Sequence, residues 1–192
     1  LSYPGAEEIC DGKDNNCDGV TDVPDTIAPT TTLELSGTAG NNGWYRSDVT
    51  AIISANDTGS QCNSGVAKTE YSFDNASWFE YTEPLLLSDE GLITIYYRSI
   101  DAAGNMETTK EELIKIDKTA PAISATRFPD PNSYHWNNTN VTIHFAASDG
   151  ISDIDSVTPD TVVTDEGAGQ SVSGNAMDKA GNTAMLVVDD IN

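Results

Sequence analysis

Positive charge is scarce in this chain: nine Lys and Arg stand against 31 Asp and Glu, a formal charge of −22 over 192 residues. Such an acidic chain repels polyanions, which sets nucleic acid aside as a partner. Long apolar runs are missing as well. No stretch approaches the roughly 20 apolar residues of a membrane span, so membrane insertion is not expected. Histidine is limited to His135 and His144, and no nucleophile-elbow sequence is present, which leaves little for Ser-His-Asp or Cys-His chemistry. Carboxylate pairs of the glycosidase kind, such as Asp153 with Asp155 or Glu111 with Glu112, arise by chance among so many acids. No enzymatic activity is expected. What remains is 38% hydrophobic residues with seven Tyr and three Trp, enough for packed cores. The chain begins Leu1-Ser2-Tyr3-Pro4, without an initiator Met or a signal peptide. Export would therefore imply a targeting segment already removed or lying outside this sequence.

The first twenty-five residues carry the sharpest signal. From Asp14, oxygen side chains fall at the first, third, fifth, ninth and twelfth places of a twelve-residue window, namely Asp14, Asn16, Asp18, Asp22 and Asp25, with Gly19 at the sixth. That is the ligand spacing of a calcium loop of EF-hand type. A hard cation takes six to eight oxygens, alternate residues of a curled loop point inward together, and the glycine permits the sharp turn. Val20 offers its backbone carbonyl, and Asp11 is a further candidate ligand. The twelfth place is Asp rather than a bidentate Glu, and no apolar-periodic helices flank the window, so this is a calcium loop without an EF-hand fold.

Three cysteines is an odd count. Cys10 and Cys17 are the natural pair, closing a small ring at the metal loop worth about 2 to 3 kcal/mol in the chain-entropy model. Cys62 is left over, for an intermolecular bridge, an alternative bridge to the N-terminal loop, or a free thiol. The run Glu8-Ile9-Cys10-Asp11-Gly12-Lys13-Asp14-Asn15-Asn16-Cys17-Asp18-Gly19 resembles the MopE-type metal-binding motif of secreted microbial surface proteins and, more distantly, thrombospondin type 3 repeats. Copper, sometimes attached to that family's name, suits residues 1 to 25 poorly because they contain no His or Met. The expected cofactor is Ca2+.

The remainder of the chain repeats. Asp25-Thr26-Ile27-Ala28-Pro29 returns as Asp117-Lys118-Thr119-Ala120-Pro121, and Trp44 to Thr50 returns as Trp136 to Thr142, both at an offset of 92. Asp101-Ala102-Ala103-Gly104-Asn105 returns as Asp178-Lys179-Ala180-Gly181-Asn182 at an offset of 77, so the second copy is shorter. Within each copy the period is two. Val49, Ala51, Ile53 and Ala55 form one buried row, and Val141, Ile143, Phe145 and Ala147 form its counterpart. Further strands are predicted near 31–36, 67–73, 92–100, 107–116, 122–127, 169–175 and 183–190, separated by turn signals. Short strands at this spacing with no helical stretch predict β-sandwiches.

The stretches Ser156 to Asp160, Glu166 to Val172 and Asp178 to Ala184 resemble the bacterial Ig-like repeats of large cell-surface proteins. Gly43 to Thr50, Glu70-Tyr71-Ser72 and Tyr96 to Asp101 resemble a sister type. The resemblance implies secreted, non-catalytic stalk, adhesion or assembly modules, although fold does not fix function. Asp101 with Asn105, and Asp178 with Asn182, are read as turn chemistry. Asp117, in the linker, is the better candidate for an additional calcium ligand. Trp44 and Trp136, placed alike before matching strands, are assigned to packing rather than to a sugar platform with Trp78. Sequons at Asn56, Asn75, Asn137 and Asn140 point to a glycosylated exterior, with all four asparagines facing solvent.

The chain is thus expected to be all-β: an N-terminal metal-binding loop and docking segment (1–24) and two tandem Ig-like β-sandwiches (25–116 and 117–192). Its expected role is a calcium-stabilised, secreted or cell-surface structural subunit that self-assembles into a filament or surface layer through residues 1 to 24. The alternative is a spacer, or a module binding surface glycans, within a larger adhesin.

Overall fold

Apolar residues at every second position force one face of an extended segment onto a core. In the computed structural model this yields fourteen strands and no helix among the described residues, which are 3–6, 10, 12–21, 23–58 and 63–192. Two compact units result. One comprises Leu1–Ser36, Val49–Leu87 and Leu92–Ile114, the other Gly37–Asp48, Ser88–Gly91 and Lys115–Asn192. The units interleave along the chain, whereas the repeat pattern alone suggested linear cuts at 25 and 117.

In the first unit, β1 (Thr30–Ser36), β3 (Val49–Asn56) and β6 (Leu85–Leu87) form one sheet with β3 central and antiparallel to both neighbours. The other sheet runs in the order β8 (Lys110–Ile116), β7 (Gly91–Asp101), β4 (Val66–Ser72), β5 (Phe79–Glu80). Val49, Ala51, Ile53, Leu87, Ile95 and Ile114 are buried in this unit. Its second sheet also buries a charged side chain, Glu70. Glu70 accepts from Arg98 Nε at 2.7 Å and forms an ion pair with Lys68. Burial opposes the charge on Glu70, but the hydrogen bonds and charges of Lys68 and Arg98 prevail and hold its carboxyl below the usual range.

In the second unit, β9 (Ala122–Phe128), β10 (Val141–Ser148) and β12 (Thr161–Val163) form a sheet with β10 central. The facing sheet has β13 (Gln170–Asp178) between β11 (Ile154–Val157) and β14 (Thr183–Ile191). Val141, Ile143, Phe145 and Ile191 make the core, with Ile123, Ala125, Val163, Val172 and Val188 packed around them. Gly174 lies under the Phe145 ring, where a Cβ would stand 2.3 Å from ring carbons. In the same unit β2 (Trp44–Tyr45) pairs in parallel with Lys115 and Ile116, the last residues of β8.

The two long central strands β3 and β10 show the same alternation of buried and exposed residues, as their 92-residue offset requires. One expectation fails. Trp136 is 46% exposed rather than packed away, whereas Trp44 is half-buried. Trp78 is occupied by Arg98, whose guanidinium carbon lies 3.9 Å from its ring centroid.

Candidate metal centres

Tyr3 N donates to the Asn15 carbonyl at 3.0 Å and Gly5 N to the Asn16 carbonyl at 3.1 Å, tying Tyr3 and Gly5 to the predicted loop. Within it, Asp18 N donates to Asp14 Oδ1 (3.1 Å) and to Asn16 Oδ1 (2.9 Å). Gly19 N donates to Asp14 Oδ2 at 2.9 Å, and Val20 N to Asp18 Oδ1 at 2.8 Å. These contacts curl the backbone and bring the Asp14, Asn16 and Asp18 side chains onto the amides of Asp18, Gly19 and Val20. Gly19, with φ of +93°, supplies the turn that side chains avoid. Asp14, Asn16 and Asp18 are thus brought together. Asp11 and Asp22 lie outside the described residues.

Asp25 does not complete this loop. It is buried, its Oδ1 accepts from Ile27 N (3.1 Å) and its Oδ2 from Ser64 N (2.8 Å), and its carboxylate groups with those of Asp57 and Asp101. The cysteine pairing is corrected too. Cys10 is disulfide-bonded while Cys17 is a free, exposed thiol, so the Cys10–Cys17 ring is not formed. Cys62 lies outside the described residues. The physical reason is local: Cys17 takes a left-handed conformation, φ 60°, inside the curl that aligns the oxygens, and its side chain faces solvent.

The second unit repeats the aspartate grouping with Asp117, Asp149 and Asp178. In each trio one carboxylate oxygen per residue lies within 4.8 Å of the others. Asp101, Asp117 and Asp178 are 2% exposed or less, and Asp25 and Asp57 are nearly as buried. The supporting bonds match. Asn105 Nδ2 donates to the Asp25 carbonyl (3.1 Å) and to Asp101 Oδ2 (2.7 Å); Asn182 Nδ2 donates to the Asp117 carbonyl (3.1 Å) and to Asp178 Oδ2 (3.0 Å). Asp101 Oδ1 and Asp178 Oδ1 accept from the amides of those same asparagines. The turn reading of Asp101 and Asp178 therefore holds, yet each turn also delivers a carboxylate into a buried group. Asp57 and Asp149 were missed, although both directly follow the matching strands at the repeat offset of 92.

The second trio is braced by Gly37–Asp48, which belongs to the same unit. Asn41 N donates to the Ala180 carbonyl (2.8 Å), Asn42 Nδ2 to the Lys179 carbonyl (2.8 Å) and Asp117 N to the Tyr45 carbonyl (2.9 Å). Gly40 is required there, since a Cβ would meet the Ala180 carbonyl oxygen at 2.3 Å.

Among the sequons, Asn56, Asn75 and Asn140 are exposed. Asn137 is half-buried, its Nδ2 donating to the Pro129 carbonyl at 2.9 Å and its Oδ1 enclosed. Four solvent-facing asparagines were expected and three are found. His144 is exposed and meets Asp160 Oδ1 at 2.6 Å, and His135 is exposed in its loop.

The all-β chain carries at its N-terminus a segment similar to a known metal-binding motif. The family model of the MopE type (Cu-binding MopE) matches residues 2–22. No curated protein matches. Among solved structures the chain is similar to the fibronectin(III)-like modules of Clostridium thermocellum CbhA, at 16% identity over 85% of this chain and 94% of that one, with a TM-score of 0.37. It is also similar to the D00-D0 domain of intimin, at 11% identity over 84% and 100%, with a TM-score of 0.38. The copper in the motif's name fits the donor set poorly. Asp14, Asn16 and Asp18 bring oxygen donors into the described loop, which suit a hard cation; no imidazole or thioether occurs among residues 1 to 25, and the free thiol of Cys17 faces solvent. No helix of the described residues is long and apolar enough to cross a membrane.

Proposed function

We propose that the chain is a non-catalytic structural protein of an extracellular surface, a calcium-stabilised tandem of Ig-like sandwiches that assembles with copies of itself through its N-terminal segment. The convergence of Asp14, Asn16 and Asp18 oxygens beside exposed apolar side chains carries this reading. Tyr3, Val20 and Val23 are 58%, 69% and 55% exposed, in a segment with too few residues for a core of its own. Calcium would fix the loop, and the fixed loop would present those side chains to a neighbouring copy. Asp22 and the Val20 carbonyl are the remaining proposed ligands, and Asp11 a further one.

A second reading has its own support. Asp25 N donates to the Cys10 carbonyl (3.4 Å) just as Asp117 N donates to the Tyr45 carbonyl. The Cys10 carbonyl thus stands to Asp25 as the Tyr45 carbonyl stands to Asp117. That is how a cap on a row of spacer modules in an adhesin would behave. Negative-stain imaging of the full chain in calcium separates the two. A regular axial repeat, lost on removing residues 1 to 24 and loosened by chelation, supports the subunit. Isolated short rods that persist in both conditions overturn it in favour of the spacer.

A further inference from the structure

We propose that each sandwich holds a calcium ion of its own, bound by Asp25, Asp57 and Asp101 in the first unit and by Asp117, Asp149 and Asp178 in the second. Several independent observations converge on these two places. Each trio gathers carboxylate oxygens within 4.8 Å of one another in a largely buried setting. Like charges that close repel, and burial removes the water that would offset the repulsion. Among the described residues, none of Asp57, Asp101, Asp117, Asp149 and Asp178 forms an ion pair with Lys or Arg.

Unsatisfied oxygens mark both sites. Asp57 Oδ2 accepts from Gly65 N at 2.7 Å, but its Oδ1 is buried with no hydrogen-bond partner. Asp117 Oδ1 accepts from Thr119 N at 3.0 Å, and its Oδ2 is likewise buried and unpartnered. Buried carboxylate oxygens are rarely left unmatched, because an unpaired one carries its full desolvation penalty. A cation between the three residues supplies the missing partner in each unit. The donors are all oxygen, with no imidazole or thiolate in either trio, which selects a hard cation over zinc or copper.

The surrounding bonds also orient the donors. Asn105 and Asn182 act as positioning residues: each ties the backbone carbonyl of the leading aspartate to the carboxylate of the hairpin aspartate. Ala102 N and Lys179 N close the same turns onto the carbonyls of Gly65 and Asp153. Each ion would therefore join three segments far apart in sequence: the residues leading into the first strand, the loop after the central strand, and the last hairpin. Its effect is to clamp a whole sandwich, not a local turn.

The inference stands apart from the N-terminal loop and from assembly, and equilibrium dialysis of the full chain against radiolabelled calcium distinguishes them. Asp18→Ala, which disables only the loop, should keep two calcium ions per chain. In that background, Asp57→Asn and Asp149→Asn, near in size to the wild type, should each remove one, and the double variant should remove both. Thermal unfolding of Asp18→Ala in calcium against chelator gives a readout that does not require the asparagine variants to fold, and calcium should raise both transitions. Fewer than two ions bound to Asp18→Ala, no calcium shift in its unfolding, or unchanged binding in the folded double variant would overturn the proposal. Equal binding by Asp18→Ala and wild type would instead defeat the loop assignment and leave the twin sites standing.

Discussion

Gly174 shows how tightly single positions are set. A methyl group there would lie 2.3 Å from the Phe145 ring, and β13 cannot retreat without breaking its pairing to β14. Gly174→Ala should destabilise the second unit by about 1–3 kcal/mol, the usual cost of overpacking, as read from urea unfolding. Glu70, buried, and Glu107, half-buried, are two carboxylates that make the first unit sensitive to acid. Burial opposes the charge of Glu107 too, but Lys110 and the Thr31 bonds outweigh it and lower its pKa. A carboxyl with a lowered folded pKa adds stability above its unfolded value, near 4.5, and that stability is lost as pH falls through the folded value. The first unit should therefore weaken below about pH 4.5, and Glu70→Gln should flatten that limb while costing about 2 kcal/mol at neutral pH. Asn137 gives a third residue-scale test. The nitrogen a glycan would occupy already donates to the Pro129 carbonyl, so mass spectrometry of protein from a glycosylating host should find sugar at Asn56, Asn75 or Asn140 and none at Asn137.

At the scale of elements, the long strands were legible because eight or more residues display a period of two, as Val49 to Asn56 and Val141 to Ser148 do. Trp44–Tyr45 and Phe79–Glu80 are two residues long, too short for any period, and their pairing is decided by partners distant in sequence. Ile143, fully buried at the centre of β10, should cost about 2–5 kcal/mol when cut to Ala. The N-terminal curl was legible from its oxygen spacing, since Asp14, Asn16 and Asp18 are neighbours in sequence. The aspartate trios were not, because each draws on three separate segments, and Asp57 reads in isolation as an ordinary polar residue ending a strand. Only aligning the two copies reveals that Asp57 and Asp149 recur. The cysteine pairing was misread for a related reason: proximity in sequence favoured Cys17, but the loop geometry turns that thiol outward. Peptide mapping without reduction should recover Cys17 unlinked to Cys10, and a Cys10–Cys17 peptide would contradict the fold of the loop.

For the whole molecule, a charge of −22 works against compactness, and −22 is the charge before any cation binds. Three calcium ions, one in the N-terminal loop and one in each sandwich, would reduce it most where acids are packed most closely. If the chain is a calcium-dependent structural tandem, calorimetric unfolding of the full chain with saturating calcium and with chelator will reveal it. A ligand at a hundred times its dissociation constant adds about 2.7 kcal/mol per site, which for a domain of this size raises the transition by about 10 °C or more. Both units should melt at least that much higher in calcium; transitions that coincide with and without chelator would contradict a calcium-dependent fold.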